Sequence, residues 1–212
     1  MAREVVADTS VLQYLHQLRQ LPLLTRLGEP VLVPQAVVDE LAAGRRLARD
    51  VPDPESIPWI VIDTVSLAAL RESVEKRIET DVNAPASELV GLVEHLEASR
   101  QGQPRSLGGG ELEAIALAVL RGTAVVLDDA LARKFARSLR IQLTGTIGVL
   151  LQAKHGGAID SIAPLLDRLD ELGFHLHVET RRSVLELAGE LRPEPPPATV
   201  DGGDATHGLD TK

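Results

Sequence analysis

Cysteine is absent from all 212 residues, which removes disulfide frameworks, thiolate metal sites and cysteine nucleophiles together. That is consistent with a reducing, cytoplasmic setting. Aromatic residues make up 2% of the chain, so the core has to be built from leucine, valine, alanine and isoleucine, which suits helices packed on a parallel sheet. Positive charge is also short. A formal net charge of −9 argues against a broad basic surface that would bind nucleic acid indiscriminately, and leaves only local basic patches. No apolar run is long enough for a bilayer, because the most apolar region, Ala114 to Leu127, is interrupted by Arg121. Met1-Ala2-Arg3-Glu4 passes straight into Val5-Val6-Ala7, without the charged and then apolar regions of a secretory signal. A protein that is neither secreted nor in a membrane is expected. Motifs for two common chemistries are missing as well. There is no Gly-x-x-x-x-Gly-Lys-[Ser/Thr] phosphate loop and no Gly-x-Ser-x-Gly elbow, and Gly108-Gly109-Gly110 does not follow a strand as a dinucleotide fingerprint does.

What is present is organised around Leu107 to Asp129. The three glycines lead into Glu111, then into Ile115, Ala118 and Val119 at helical spacing. Thr123-Ala124-Val125-Val126-Leu127 follows, an apolar run that reads as a buried parallel strand with Asp128 and Asp129 at its C-terminal end. Open α/β sheets bind ligands at that end. Glu111 falls in the first turn of its helix, where the helix dipole favours a carboxylate and the glycines allow the backbone to be approached closely. Val5-Val6-Ala7 repeats the arrangement, with Asp8-Thr9-Ser10 opening a helix through Leu12, Leu15, Leu18 and Leu21. Val31-Leu32-Val33 is a further strand, and Pro34 starts a helix with Val37, Val38 and Leu41 on its apolar face, Glu40 at the edge of that face, and Arg45, Arg46 and Arg49 as a basic stripe beyond. Each acid also has an ordinary explanation. An aspartate after a strand is a normal helix N-cap, and a first-turn glutamate is a normal dipole complement.

Between these motifs, Trp59-Ile60-Val61-Ile62 and Ile141-Gln142-Leu143 read as strands, and Thr144-Gly145-Thr146 leads into a helix ended by Lys154-His155-Gly156-Gly157. Ser66 to Ser106 is mostly polar helix with a break at Asn83-Ala84-Pro85. Gly173-Phe174-His175-Leu176-His177-Val178 alternates like a strand, His175 and His177 being ordinary residues of one face, and Ser183 to Leu191 is helical. Alternating strands and helices without hairpin signals predict a three-layer α/β/α sandwich around a central, mostly parallel sheet. It is one domain over residues 1–191, with 66–106 as a long helical insertion. Residues 192–212 begin Arg192-Pro193-Glu194-Pro195-Pro196-Pro197 and are predicted to be a disordered tail.

The chemistry left is that of oxygen. Asp8, Glu40, Glu111 and Asp128 remain, with Asp129 competing for the last position, three of them at strand ends or helix starts of the presumed C-terminal sheet edge. Carboxylates converging without paired cations repel one another and require a divalent metal, and Mg²⁺ or Mn²⁺ takes carboxylate oxygens completed by water and substrate phosphate. A phospho-accepting receiver domain also uses a strand-end aspartate with Mg²⁺, but has no need of Glu40 on a helix.

These motifs in this order resemble the PIN-domain nucleases, and among them the VapC-like toxins: Val5-Val6-Ala7-Asp8-Thr9-Ser10; Val33-Pro34 leading to Asp39-Glu40-Leu41; Gly110-Glu111-Leu112-Glu113-Ala114; and Val125-Val126-Leu127-Asp128-Asp129. The stretch Leu143-Thr144-Gly145-Thr146-Ile147-Gly148-Val149-Leu150 resembles a branch of PIN-like proteins, and the resemblance covers residues 4 to 190. It implies a PIN-like fold and a metal-dependent endoribonuclease with Asp8, Glu40, Glu111 and Asp128 as catalytic acids. It further implies Asp8, Glu111, Asp128 and Asp129 on Mg²⁺ or Mn²⁺, Thr9 or Ser10 orienting the Asp8 carboxylate or a metal-bound water, and Arg133 and Lys134 on RNA phosphates. The partners it implies are RNA, an antitoxin protein and a second copy in a homodimer, with no membrane. A PIN-like module that binds protein or RNA without turnover is the alternative. With so few aromatics to stack on bases, target choice is expected to rest on RNA shape.

Overall fold

Two residues per repeat decide how the strands are buried. In the computed structural model, which describes residues 4–103 and 107–191, Val5, Ala7, Val31, Val33 and Val126 enter one apolar core, while Val6, Leu32, Val125 and Leu127 enter a second on the opposite face. Both faces of the sheet's centre are therefore covered, which is why its three central strands are uniformly apolar instead of alternating with polar residues, while the two edge strands end in Asp63 and Thr144. The strands are β1 (Val5–Ala7), β2 (Val31–Pro34), β3 (Ile60–Asp63), β4 (Ala124–Val126) and β5 (Leu143–Thr144), all parallel, in the order β3-β2-β1-β4-β5. The first core collects residues of helices α1 (Thr9–Gln17), α2 (Gln35–Arg46), α7 (Thr146–His155), α8 (Ala163–Glu171) and α9 (Val178–Leu187). The second collects α3 (Leu67–Thr80), α4 (Ala86–Arg100), α5 (Gly109–Arg121) and α6 (Ala130–Ser138). This is the three-layer α/β/α sandwich expected. No helix among the described residues is long and apolar enough to cross a membrane.

The chain winds outward from β1 to β3, then returns to lay β4 on the free side of β1. The strand order reverses between β1 and β4, so the residues just beyond them, Asp8 and Asp128, stand at the point where sheets of this kind bind ligands. The backbone ties them: the Asp8 N–H donates to Val126 O across the two strand ends at 3.3 Å.

Several elements differ from the sequence pattern. α1 ends at Gln17 and does not run on through Leu21, because Arg19 adopts φ 56° and Pro22 starts a separate 3-10 helix, Leu21–Arg26. α2 stops at Arg46, with Ala48 at φ 57°, so Arg49 lies outside it; Arg45 turns to donate to Pro52 O and pairs with Asp53. The strand read at Ile141 starts at Leu143, past the left-handed Arg140. Residues 173–177 alternate as expected, with Phe174 and Leu176 packed on the first core and His175 and His177 exposed, but they pair with no strand. α9 begins at Val178 and ends before the left-handed Gly189, earlier than the Ser183 to Leu191 pattern. The tail at 192–212 lies outside the described residues.

The end of the described chain is held by one carboxylate. Glu190 accepts from Ser161 Oγ (2.7 Å) and from the first amides of the α8 turn, Ile162 N (2.7 Å) and Ala163 N (2.9 Å), and it pairs with Lys154 (3.3 Å). These donors outweigh its burial and pull its pKa down to about 2 from an ordinary 4.5. A depressed carboxylate stabilises the fold above its unfolded pKa and loses that contribution as pH falls. Glu190→Gln is therefore expected to melt lower than wild type at neutral pH, and the gap is expected to close between pH 4.5 and about 2, measured by thermal melts across that window.

Candidate active site

Asp8 is the N-cap of α1, and its Oδ1 accepts from Val11 N at 3.0 Å while the Ser10 hydroxyl donates to both carboxylate oxygens at 3.1 Å. The ordinary capping role is therefore real. It does not account for the burial, because Asp8 is 1% exposed and, among the described residues, the charged groups acting on it are Asp128 and Glu111, both acids. Burial first, with Asp128 and Glu111 nearby adding to it, pushes its pKa well above the usual carboxylate range against the pull of Val11 N and Ser10.

Asp128 leaves β4 and is gripped by the start of α7. Thr146 donates its N–H to Oδ1 at 2.8 Å and its hydroxyl to Oδ2 at 2.5 Å. Burial raises Asp128 in spite of those bonds and of Arg133. Asp129, one residue on, faces another way and caps α6, its Oδ1 accepting from Ala132 N at 2.8 Å. The two neighbours thus serve different helices.

Glu40 and Glu111 meet at the start of α5. Glu40 accepts the Thr9 hydroxyl at 2.5 Å and the Gly110 N–H at 3.0 Å, so it joins α1, α2 and α5. A side chain at Gly110 would place its Cβ 2.7 Å from Glu40 Oε2, which is what the glycine there permits. Glu111 folds back on Gly108, whose N–H it accepts, in the manner of a capping box. Burial, then Glu40 and Asp129, raise its pKa.

The basic residues divide. Arg133 is half-buried and donates from Nη1 to Leu127 O (2.7 Å) and Thr144 O (2.9 Å), clamping β4 to β5 beside Asp128. Burial, then Arg137, lowers its pKa. Lys134 is exposed and pairs with no acid among the described residues.

Electrostatically, then, Asp8 couples to Asp128 and Glu111, and Glu111 to Glu40 and Asp129. In position the side chains do not close up: no three His, Cys, Asp or Glu among the described residues stand at metal-ligand spacing. The reason is visible in the bonds above, since each acid is satisfied by donors of its own loop or helix start. The donor set is nevertheless oxygen throughout, desolvated, and almost without positive charge, and these are the conditions under which a hard divalent cation is favoured.

Four residues around the edge carried no signal of their own in the sequence. Thr146, 0% exposed, fixes Asp128 from eighteen residues away. Gly145 leaves room for Asp128 and Arg133. Tyr14 is raised by burial and by Asp128. Glu113, more buried than Glu111, accepts from Ala36 N (3.2 Å) and pairs with Arg100 (2.7 Å), locking α5 to α2 and α4. A Thr-Gly-Thr turn opening a helix beside the Asp128 strand end was the available cue for the first two. Thr146→Val keeps the shape and the amide and removes the hydroxyl, and is expected to cost about 1.5–3 kcal/mol, the worth of a hydrogen bond to a charged group, read from denaturant unfolding at neutral pH.

A family model described as a PIN domain matches the chain over residues 4–99 and 79–190, so that together the two stretches cover nearly all of the described residues. No curated protein and no solved structure matches it.

Proposed function

The chain belongs to the PIN-domain family, whose fold is that of a nuclease, and on that premise we propose that it is a metal-dependent endoribonuclease that hydrolyses RNA phosphodiester bonds. The observation that carries this reading is the buried Asp8, which among the described residues is acted on by the acids Asp128 and Glu111, with Asp8 and Asp128 at the reversal of strand order. Asp8, Glu111 and Asp128, with Asp129 at the rim, would hold Mg²⁺ or Mn²⁺. Bound there, the ion supplies the positive charge needed by the attacked phosphate and by the water that attacks it. The chain's own residues do the positioning. Ser10 holds the Asp8 carboxylate, Thr9 holds Glu40, Thr146 holds Asp128, and Glu40 is the acid left to take the proton of the incoming water. Arg133, with Lys134 exposed beside it, offers positive charge to the RNA backbone.

The order of motifs supports a place among VapC-like toxins, paired with an antitoxin whose cationic side chain would enter the acidic edge and with a second copy as homodimer. Toxicity on overproduction, and light scattering of the purified protein, test those two parts separately. A non-catalytic RNA-binding module is favoured by one observation, the locally satisfied acids. The deciding experiment is cleavage of a labelled RNA with Mn²⁺, with Mg²⁺ and with EDTA. Cleavage restored by either ion after chelation supports the enzyme; binding of RNA without cleavage under all three conditions overturns it.

A further inference from the structure

Beside Asp128 lies a cleft of about 380 Å³ whose lining includes Asp128, Arg133, Thr144, Gly145, Ile147 and Phe174, together with Leu176 and Thr180. It is formed where the unpaired segment 173–177 crosses the start of α7. Its composition is divided. Ile147, Phe174 and Leu176 give an apolar wall, whereas Thr144 and Thr180 bring hydroxyls that make no hydrogen bond among the described residues, and Arg133 uses only Nη1 in its two bonds to carbonyls. The chain has four aromatic rings, Tyr14, Trp59, Phe135 and Phe174, and Phe174 is the one that lines this cleft. Tyr14 meets it edge-on, with centroids 5.0 Å apart and planes at 90°, which fixes the orientation of the ring.

We propose that this cleft holds one unstacked nucleobase of single-stranded RNA, that of the nucleotide flanking the phosphate at the acidic edge, with Phe174 as its stacking surface and Thr180 as a rim contact. Four features specify that occupant. Asp128 lines both the cleft and the acidic edge, so a ligand in one is a single nucleotide away from the other. The volume is near the lower end of the range for small-ligand sites, roughly 300–1,000 Å³, and admits a base but not a base pair. An aromatic face with two threonine hydroxyls beside it suits a planar group with polar edges. Arg133 supplies the charge for the attached phosphate. A base can reach such a cleft only when splayed out of a duplex, so the substrate class is single-stranded RNA, in place of the recognition by shape that the scarcity of aromatics suggests.

The proposal rests on the ribonuclease reading, and its test separates the two. Full-length wild type, Phe174→Leu and Thr180→Val are assayed on a single-stranded oligoribonucleotide of mixed sequence, and on the same strand with an abasic ribose at each position flanking the mapped cut. Phe174→Leu keeps an apolar side chain on the core and removes the ring. It is expected to lower kcat/KM roughly ten- to hundredfold on the intact strand, the ordinary effect of losing one stacked base, and to match wild type on the strand lacking that base. Thr180→Val, at an exposed position that leaves packing alone, is expected to fall roughly fivefold on the intact strand. Equal losses on both strands, or none on either, overturn the cleft. If wild type cleaves nothing with Mn²⁺ or Mg²⁺, the ribonuclease reading fails by itself, and the same strands in fluorescence anisotropy decide the cleft. Weaker binding of the intact strand by Phe174→Leu supports it, and unchanged binding overturns it.

Discussion

Asp8→Asn is expected to melt higher than wild type without divalent metal and to cleave RNA roughly 100- to 1,000-fold more slowly with it, the opposite signs coming from one buried charge. The carboxylate is 1% exposed and raised by burial and by Asp128 and Glu111. Asparagine keeps the N-cap, because its oxygen accepts from Val11 N as the carboxylate does, and asparagine caps as well as aspartate. What changes is the cost of the buried charge, on the order of 1–3 kcal/mol in the metal-free protein. The pH dependence gives the sign independently. A group whose folded pKa lies above its unfolded value binds more protons when folded, so its contribution is complete below the unfolded pKa and lost as pH rises through the folded one. Metal-free wild type should thus lose stability as pH climbs above the ordinary carboxylate range, and Asp8→Asn should lose less over the same window. Added Mn²⁺ should stabilise wild type more than the variant. Equal metal responses, or a variant that melts lower in EDTA, would remove Asp8 from the metal site.

The reach of the sequence can be judged from the same residues. Asp8 and Asp128 were legible because a parallel strand buried on both faces is a continuous apolar run, and the residue that ends the run is at the ligand-binding edge by topology. Asp128 and Asp129 were not separable, since at a strand end one residue turns the side chain to another partner, and the partners, Thr146 and Ala132, are fixed only by the fold. Glu111 drew notice through the glycines before it, while Glu113, which carries a half-buried ion pair, depends on Arg100 from another helix. Residues 173–177 show the limit from the other side. One face on a core and one in water produces an alternating pattern whether or not a strand is paired, so the segment reads as a strand although among the described residues it pairs with none. The left-handed Arg19 and Ala48 follow helices that end early, and the left-handed Arg140 precedes a strand that starts late, at residues that give no composition signal for it.

Gly145→Ala is expected to be the most damaging single methyl at the site, lowering both stability and cleavage. The glycine sits at φ −148° and ψ −179°, extended backbone open to any residue, so conformation is not the obstacle. Space is: a Cβ there would stand 2.7 Å from Arg133 Nη1, 2.8 Å from Asp128 Oδ1 and 2.9 Å from Leu127 O. The last is backbone of the strand connection and cannot swing aside, so the clamp from Arg133 to Leu127 O and Thr144 O and the grip of Thr146 on Asp128 must give way together. Overpacking of this kind costs about 1–3 kcal/mol. In a chain of this size that corresponds to roughly 2–4 °C of melting temperature per kcal/mol. Moving Asp128 and Arg133 by several tenths of an ångström should lower kcat/KM by roughly a hundredfold. Two further glycines calibrate the result. Gly110→Ala would meet the carboxylate end of Glu40, which is free to rotate off its bond to the Gly110 amide, and should cost less stability. Gly109→Ala would meet, among the described residues, Ser99 Oγ alone, at 3.8 Å, in the first turn of α5, where alanine is the better helix former, and should be neutral or slightly stabilising. If Gly145→Ala instead behaves like Gly109→Ala in both melting and cleavage, the packing of Arg133 against Asp128 is not what holds the carboxyl edge in its working arrangement.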